Sequence, residues 1–283
     1  VYSYLTYILT NRQYPLDIIT EAEDPESMRN IKMNLYYILF NGSSIEWPIN
    51  SGEIFFVTDN PINEPSFPYL YLLLKFNTEK TLLMLNEVME DEFLNEDGMV
   101  NDDAGLVKYQ FPRTFKINRQ YIIEVLISMV QEHETLFDLK KRIYLSIFVL
   151  RNYPKYPQFI TINDSSLDHL IENICDLHQL DEDKDYGSLK KDCEFSLQTL
   201  LSIYHPTNLN DELMFYFEKN EFENLLFSLY KSEKKAGKLF ELWLNNHDDD
   251  DFHGGDYSNY EILQLCFQLV EQENTIMENE NLE

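Results

Sequence analysis

The chain has 283 residues, of which 44% are hydrophobic, with 19 Tyr and 19 Phe but only 8 Gly and 10 Pro. That is ample apolar material for a core and too little turn chemistry for a strand-and-turn fold, which excludes general disorder and a turn-rich all-β architecture. A net charge of −28 repels polyanions, so nucleic acid and an anionic membrane surface are excluded as direct partners.

The N-terminal "VYSYLTYILT" has neither an initiator Met nor a basic leading region, so it reads as the cut edge of a larger protein rather than a signal peptide. Helical periods then run through the chain. They predict helices over 2–11, 28–41, 68–76, 78–93, 118–133, 136–151, 165–179, 188–203, 209–219, 221–231, 234–246 and 259–273. Tight connections pair 68–76 with 78–93 and 118–133 with 136–151. Loops are expected near 41–68, 95–116 and 245–258. The first holds four prolines and two glycines, and its "EIFFVTD" (53–59) has the pattern of a lone short strand. The acidic "NNHDDDDFHGGDY" (245–257) repels itself and is expected to be a mobile, solvated loop. "YIIEVLISMV" is interrupted by Glu124 and falls well short of the roughly 20 residues needed to cross a bilayer, so it reads as a buried helix. No strict repeat recurs.

The stretch "NEFENLLFSLYKSEKKAGKLFELWLNN" (220–246) carries the clearest pair of patterns. Phe222, Leu225, Leu226, Leu229 and Tyr230 form one apolar stripe at helical spacing. Asn220 is placed to cap this helix, with Glu223 in the position of a capping-box carboxylate. Ala236, Leu239, Phe240 and Trp243 form a second stripe, and Ser232 is placed as its cap. Two helices of about three turns bury too little surface to stand alone and need neighbours on both sides. The expectation is an all-α chain: one elongated α-solenoid of stacked antiparallel helical pairs.

"FPYLYLLLKFNTEKTLLMLNEVMED" (67–91) resembles a hallmark of the vacuolar protein sorting eight family. The family pattern is an aromatic-Pro-x-Leu start, then Leu-Leu-x-Phe-Asp-Thr, then an apolar helix ending in acidic residues. Pro68, Leu70, Leu73, Leu74, Phe76, Asn77 and Thr78 fit it. Asn77 replaces the usual Asp and keeps an N-cap, while Thr81 stands where a large apolar residue is expected. In the same order along the chain, "YSYLTYILTNRQYPLDIITE" (2–21) is similar to the family's helix before its Pro-Leu segment. "INRQYIIEVLISMV" (117–130) is similar to its Arg-Gln-x-Ile-Val-x-x-Leu helix, and residues 213–246 resemble its clathrin-heavy-chain-type repeat.

The resemblance implies an α-solenoid segment from the middle of a longer protein, with a β-propeller before it and a RING zinc domain after it in the family. It implies the CORVET tethering complex as the setting, on the cytosolic face of early endosomes, in vesicle fusion and transport to the vacuole. The partners it implies are the shared class C subunits and an early-endosomal Rab GTPase engaged through the whole protein. None of those binding residues is assigned to a position here.

The groups able to do chemistry give weak signals. Cys175-x2-His178 has metal-ligand spacing, with Cys193 and His205 further on. But Cys175 continues the apolar face of Leu170, Ile171 and Ile174, and Cys193 and His205 lie about three turns apart, so a buried Cys and a helix-end His are the better reading. "DEDKDYGSLKKD" (181–192) approaches a calcium loop through Asp181, Asp183 and Asp185, with Asp192 twelfth. Its glycine is one place late and Asp192 is shorter than the usual Glu, so it reads as an acidic helix connection. Three Cys in all point to a reducing compartment. No phosphate loop, nucleophile elbow or His-Glu-x-x-His occurs, so no enzyme activity, cofactor or metal is expected. Trp243 continues the stripe of Leu239 and Phe240 as core, and Trp47 is expected to dock its loop on the solenoid. The leading expectation is therefore a structural scaffold segment of an endosomal tethering subunit. Another clathrin-repeat tether or coat subunit, and a metal-regulated helical binding protein, are the alternatives.

Overall fold

The computed structural model describes residues 36, 38–46, 52–91, 94, 117–132, 137–181, 185–204, 211–248, 252, 254 and 257–280. Among them lie ten α-helices: α1 (Pro68–Phe76), α2 (Thr78–Met89), α3 (Arg119–Glu132), α4 (Leu139–Lys155), α5 (Asp164–Cys175), α6 (Tyr186–Leu201), α7 (Asp211–Lys219), α8 (Glu223–Ser232), α9 (Ala236–Asn246) and α10 (Asn259–Glu280). No strand forms among the described residues. The strand pattern at 53–59 yields a single isolated bridge, Glu46 with Ile54, because the backbone around it hydrogen-bonds to side chains instead. The helices expected at 2–11 and 28–41 lie outside the described residues except for helical positions 36, 38 and 39, where Tyr36 and Leu39 are buried.

The chain divides into two compact units, residues 1–167 and 168–283. In the first, α1 packs on α2 and α3 on α4, the two pairs expected from their tight connections. A further contact joins α2 to α4, one helix beyond the chain neighbour. It is stitched by Asn152 Nδ2 donating to Asn86 Oδ1 at 3.2 Å and by Lys155 Nζ on Glu90 Oε1 at 2.7 Å. Since 86 pairs with 152 and 90 with 155, the two helices run parallel. α4 extends past the expected end at 151 through Pro154, which sits in the last turn, where the helix is about to end anyway.

The second unit repeats this plan. α7 packs on α8, α8 on α9, α9 on α10, and α6 reaches α8. Along α6, Lys190, Glu194 and Gln198 lie at i, i+4 and i+8. They meet Glu221 (2.9 Å), Asn224 N (2.6 Å) and Ser228 Oγ (3.4 Å) in ascending order, so α6 and α8 are also parallel. Antiparallel neighbours with parallel second neighbours are the arrangement of stacked helical pairs, the α-solenoid plan.

Candidate functional site

Several buried polar groups among the described residues sit at helix ends, where they lock one helix to another. Arg119 opens α3 and is buried. Its Nε donates to Met89 O at 2.7 Å and Nη2 to Asp91 O at 3.2 Å, so the guanidinium satisfies carbonyls at the C-terminus of α2 and meets the negative end of that helix dipole. The faces of Tyr156 and Phe159 lie 4.6 and 5.0 Å from its carbon and cover the planar cation. Beside it, Gln120 holds Thr161 at two points, Oε1 accepting from the backbone N at 2.7 Å and Nε2 donating to the carbonyl at 3.0 Å. The Arg-Gln element of the 117–130 pattern therefore fastens α3 to two other segments.

In the second unit α8 has no side-chain cap of its own. The expected cap, Asn220, is buried and turned away: its Nδ2 donates to Cys175 O and Tyr216 O, both at 2.8 Å. The capping-box expectation fails because Glu194, on α6, fills that place from outside, its Oε1 accepting from Asn224 N at 2.6 Å and Leu225 N at 3.0 Å. The cap expected at Ser232 for α9 fails too. Ser232 ends α8 and donates back to Leu229 O, while α9 has Lys235 at its cap position with no side-chain bond. Both connections are instead helix-terminating turns with a left-handed non-glycine residue. Glu221 has φ 53° with Phe222 N on Phe217 O, and Lys234 has φ 58° with Lys235 N on Tyr230 O. No glycine marks either turn, so composition hid both.

Of the predicted stripe residues, Phe222, Leu225, Leu226, Tyr230, Leu239 and Trp243 are buried, while Leu229 and Phe240 are half-buried. Trp243 stacks on Phe240 at 6.0 Å and leans on His247 at 4.9 Å, and its buried Nε1–H has no partner. The stripe missed Phe227, which is buried against Phe252 and Tyr257. Phe252 belongs to the acidic run expected to be mobile, yet it is 3% exposed and a Cβ added at Gly254 would clash with its ring. This part of the run is therefore anchored; an aromatic among aspartates is the signal that was available.

In the 67–91 pattern, Pro68 starts α1 and Leu70, Leu73 and Leu74 are buried, whereas Phe76 is 62% exposed. Asn77 caps α2, its Oδ1 accepting from Lys80 N at 3.0 Å. Thr78 and Thr81 are both buried and return their hydroxyls to Leu74 O and Asn77 O at 2.7 Å, which lets a polar residue occupy the place of a large apolar one. Trp47, His205 and Asp183 lie outside the described residues.

The loop before α1 is held by Glu64. Its carboxylate accepts from Ser44 Oγ (2.5 Å), Val57 N (2.7 Å), Thr58 N (2.9 Å) and Thr58 Oγ1 (2.8 Å). Partial burial pulls its pKa upward, but these donors outweigh it and hold the carboxyl below its ordinary range. Glu218 is likewise held low, by Lys238 and then by Tyr230.

His178 Nδ1 is engaged with Cys175 O at 2.8 Å, and burial pushes the Cys175 thiol up to about 12, far from a ready thiolate. Tyr186–Asp192, the second half of the calcium-like loop, is already helix. Among the described residues no three His, Cys, Asp or Glu side chains converge. Nor is any described helix long and apolar enough to cross a membrane.

Comparison with known proteins gives two findings. Residues 1–89 match a family model described as the Vps8 central TPR. Over 248 residues the chain is 33% identical to vacuolar protein sorting-associated protein 8 of Saccharomyces cerevisiae, a match that covers 88% of this chain and 18% of that relative. Coverage of most of the chain removes the alternative in which only residues 67–91 matched by chance. The chain belongs to the Vps8 family, as a helical segment matching a small part of its relative's length.

Proposed function

We propose that the chain is a scaffold segment of a membrane-tethering subunit, a single α-solenoid stretch of a longer protein. Its work is mechanical: it holds the parts on either side at a fixed separation and presents an outer surface for docking. The observation that carries the reading is the pair of parallel second-neighbour contacts, α2 with α4 and α6 with α8, each made by polar side chains spaced one turn apart. Buried stripes between antiparallel neighbours and polar rungs between parallel ones resist bending in different directions. Such a stack conducts load without needing a pocket.

The similarity to a vacuolar protein sorting-associated protein supports a place in protein transport. In this reading the setting is the CORVET tether on the cytosolic face of early endosomes, ahead of vesicle fusion and transport to the vacuole. The partners are other class C tethering subunits, with an early-endosomal Rab GTPase engaged through the whole protein.

The test is made in the full-length protein. Leu82→Asp combined with Leu226→Asp puts charge into the buried face of each unit. Co-purification of class C subunits and delivery of a vacuolar cargo are then measured. The reading predicts loss of both. Deletion of residues 67–273 that left assembly and delivery intact would overturn it.

A further inference from the structure

α10 carries two apolar arcs. Ile262 and Leu269 are buried and Cys266 Sγ reaches Ala236 O at 3.7 Å, so this arc is the face laid on α9. Tyr260, Leu263, Phe267 and Val270 lie at i, i+3, i+7 and i+10 and are 74%, 44%, 68% and 42% exposed. At about 100° per residue the two arcs are centred roughly 110° apart, and the exposed one runs about 15 Å along the helix. A helix with a single neighbour needs one stripe. Two stripes set at this angle are what a helix has when it lies between two others, as α8 lies between α7 and α9.

We propose that the exposed arc is the docking surface for the next helix of the same longer polypeptide, an amphipathic segment beyond residue 283. The proposal rests on the solenoid reading. Consecutive helices pack on one another in both units, α1 on α2, α3 on α4, and α7 to α10 each on the next, and the matched relative is several times longer than the stretch it shares with this chain. Charge selects against a second copy: α10 carries five glutamates and no Lys or Arg, so two copies laid face to face would bring like charges together. The same charge gives the occupant its chemistry. It carries Lys or Arg beside its apolar stripe, opposite in sign to the glutamates of α10.

The test uses the full-length protein with benzoylphenylalanine in place of Phe267 and, separately, of Leu263. After irradiation of dilute protein, the cross-linked peptides are mapped by mass spectrometry. The expected result is an intramolecular cross-link from both sites to one segment beyond residue 283. In full-length Phe267→Asp, amide exchange should speed about tenfold or more in 260–270 and in that same segment. Cross-links to a second copy, to another part of residues 1–258, or none from either site, would each overturn the proposal. The outcome is separable from the solenoid reading, which is judged by exchange in α6–α9. Those helices can pass their test whether or not a later helix covers the arc on α10.

Discussion

Glu194, in the middle of α6, lays its carboxylate against the first turn of α8, accepting from Asn224 N at 2.6 Å and Leu225 N at 3.0 Å. A helix normally draws its cap from the residue just before it. Here the cap comes from thirty positions upstream and ties two parallel helices together. Arg119 does the complementary thing in the other unit, closing the C-terminus of α2 with a cation carried on α3. Anion at an N-terminus and cation at a C-terminus are the signs the helix dipole favours.

Removing the Glu194 carboxylate leaves two amides without an acceptor, that of Leu225 in a buried residue. Glu194→Ala should cost about 2 kcal/mol, the sum of a lost cap and a stranded donor, and Glu194→Gln about half that. Urea denaturation gives the energies. Faster exchange at Asn224 and Leu225 would locate the damage.

Trp243 is buried with its Nε1–H unpartnered, so size and polarity separate cleanly there. Trp243→Ala should cost about 3–5 kcal/mol through the cavity it leaves. Trp243→Phe should cost less than about 1.5 kcal/mol, because it keeps an aromatic ring and removes a buried donor that makes no bond. Equal losses in thermal denaturation would mean that the indole nitrogen is satisfied.

Lys234 holds φ 58° in the turn between α8 and α9, a conformation that strains any residue with a Cβ. Lys234→Gly should therefore stabilise the chain by about 0.5–1 kcal/mol despite the added freedom of the unfolded state. A lower melting temperature in the variant would contradict this.

Glu64 sets a pH dependence for the loop before α1. Its folded pKa is depressed from an ordinary 4.5, so the order it contributes is fully present above that value and is lost as pH falls through the folded pKa. Proteolytic cleavage within 52–64 should rise in the native chain as pH drops below that ordinary value. In Glu64→Gln it should be high already at neutral pH and change little with acidification.

Helix positions were largely legible because spacing is local: most described helices begin and end within a few residues of the periodic segments. What joins them was not. Asn220 and Ser232 have the chemistry of caps and sit in the right places, yet Glu194 and backbone turns took those roles. A local rule cannot see an acceptor carried on another helix. Glu194 did leave a trace, as a carboxylate immediately beside the buried stripe of Leu189, Cys193, Leu197 and Leu200. Phe252 left another, an aromatic ring within a run of aspartates. Glu221 and Lys234 left none, since a strained turn without glycine looks like any polar connection.

Stability here is passed between neighbouring helices, and hydrogen exchange on Leu226→Asp reads this out helix by helix. Leu226 is buried in α8, and the substitution places an unpaired charge there at a cost of several kcal/mol. Loss of protection should be graded: strongest in α7, α8 and α9, weaker in α6 and α10, and none in α3 and α4. Equal loss across all helices of 168–283, or across the whole chain, would mean one cooperative globule and would contradict the solenoid.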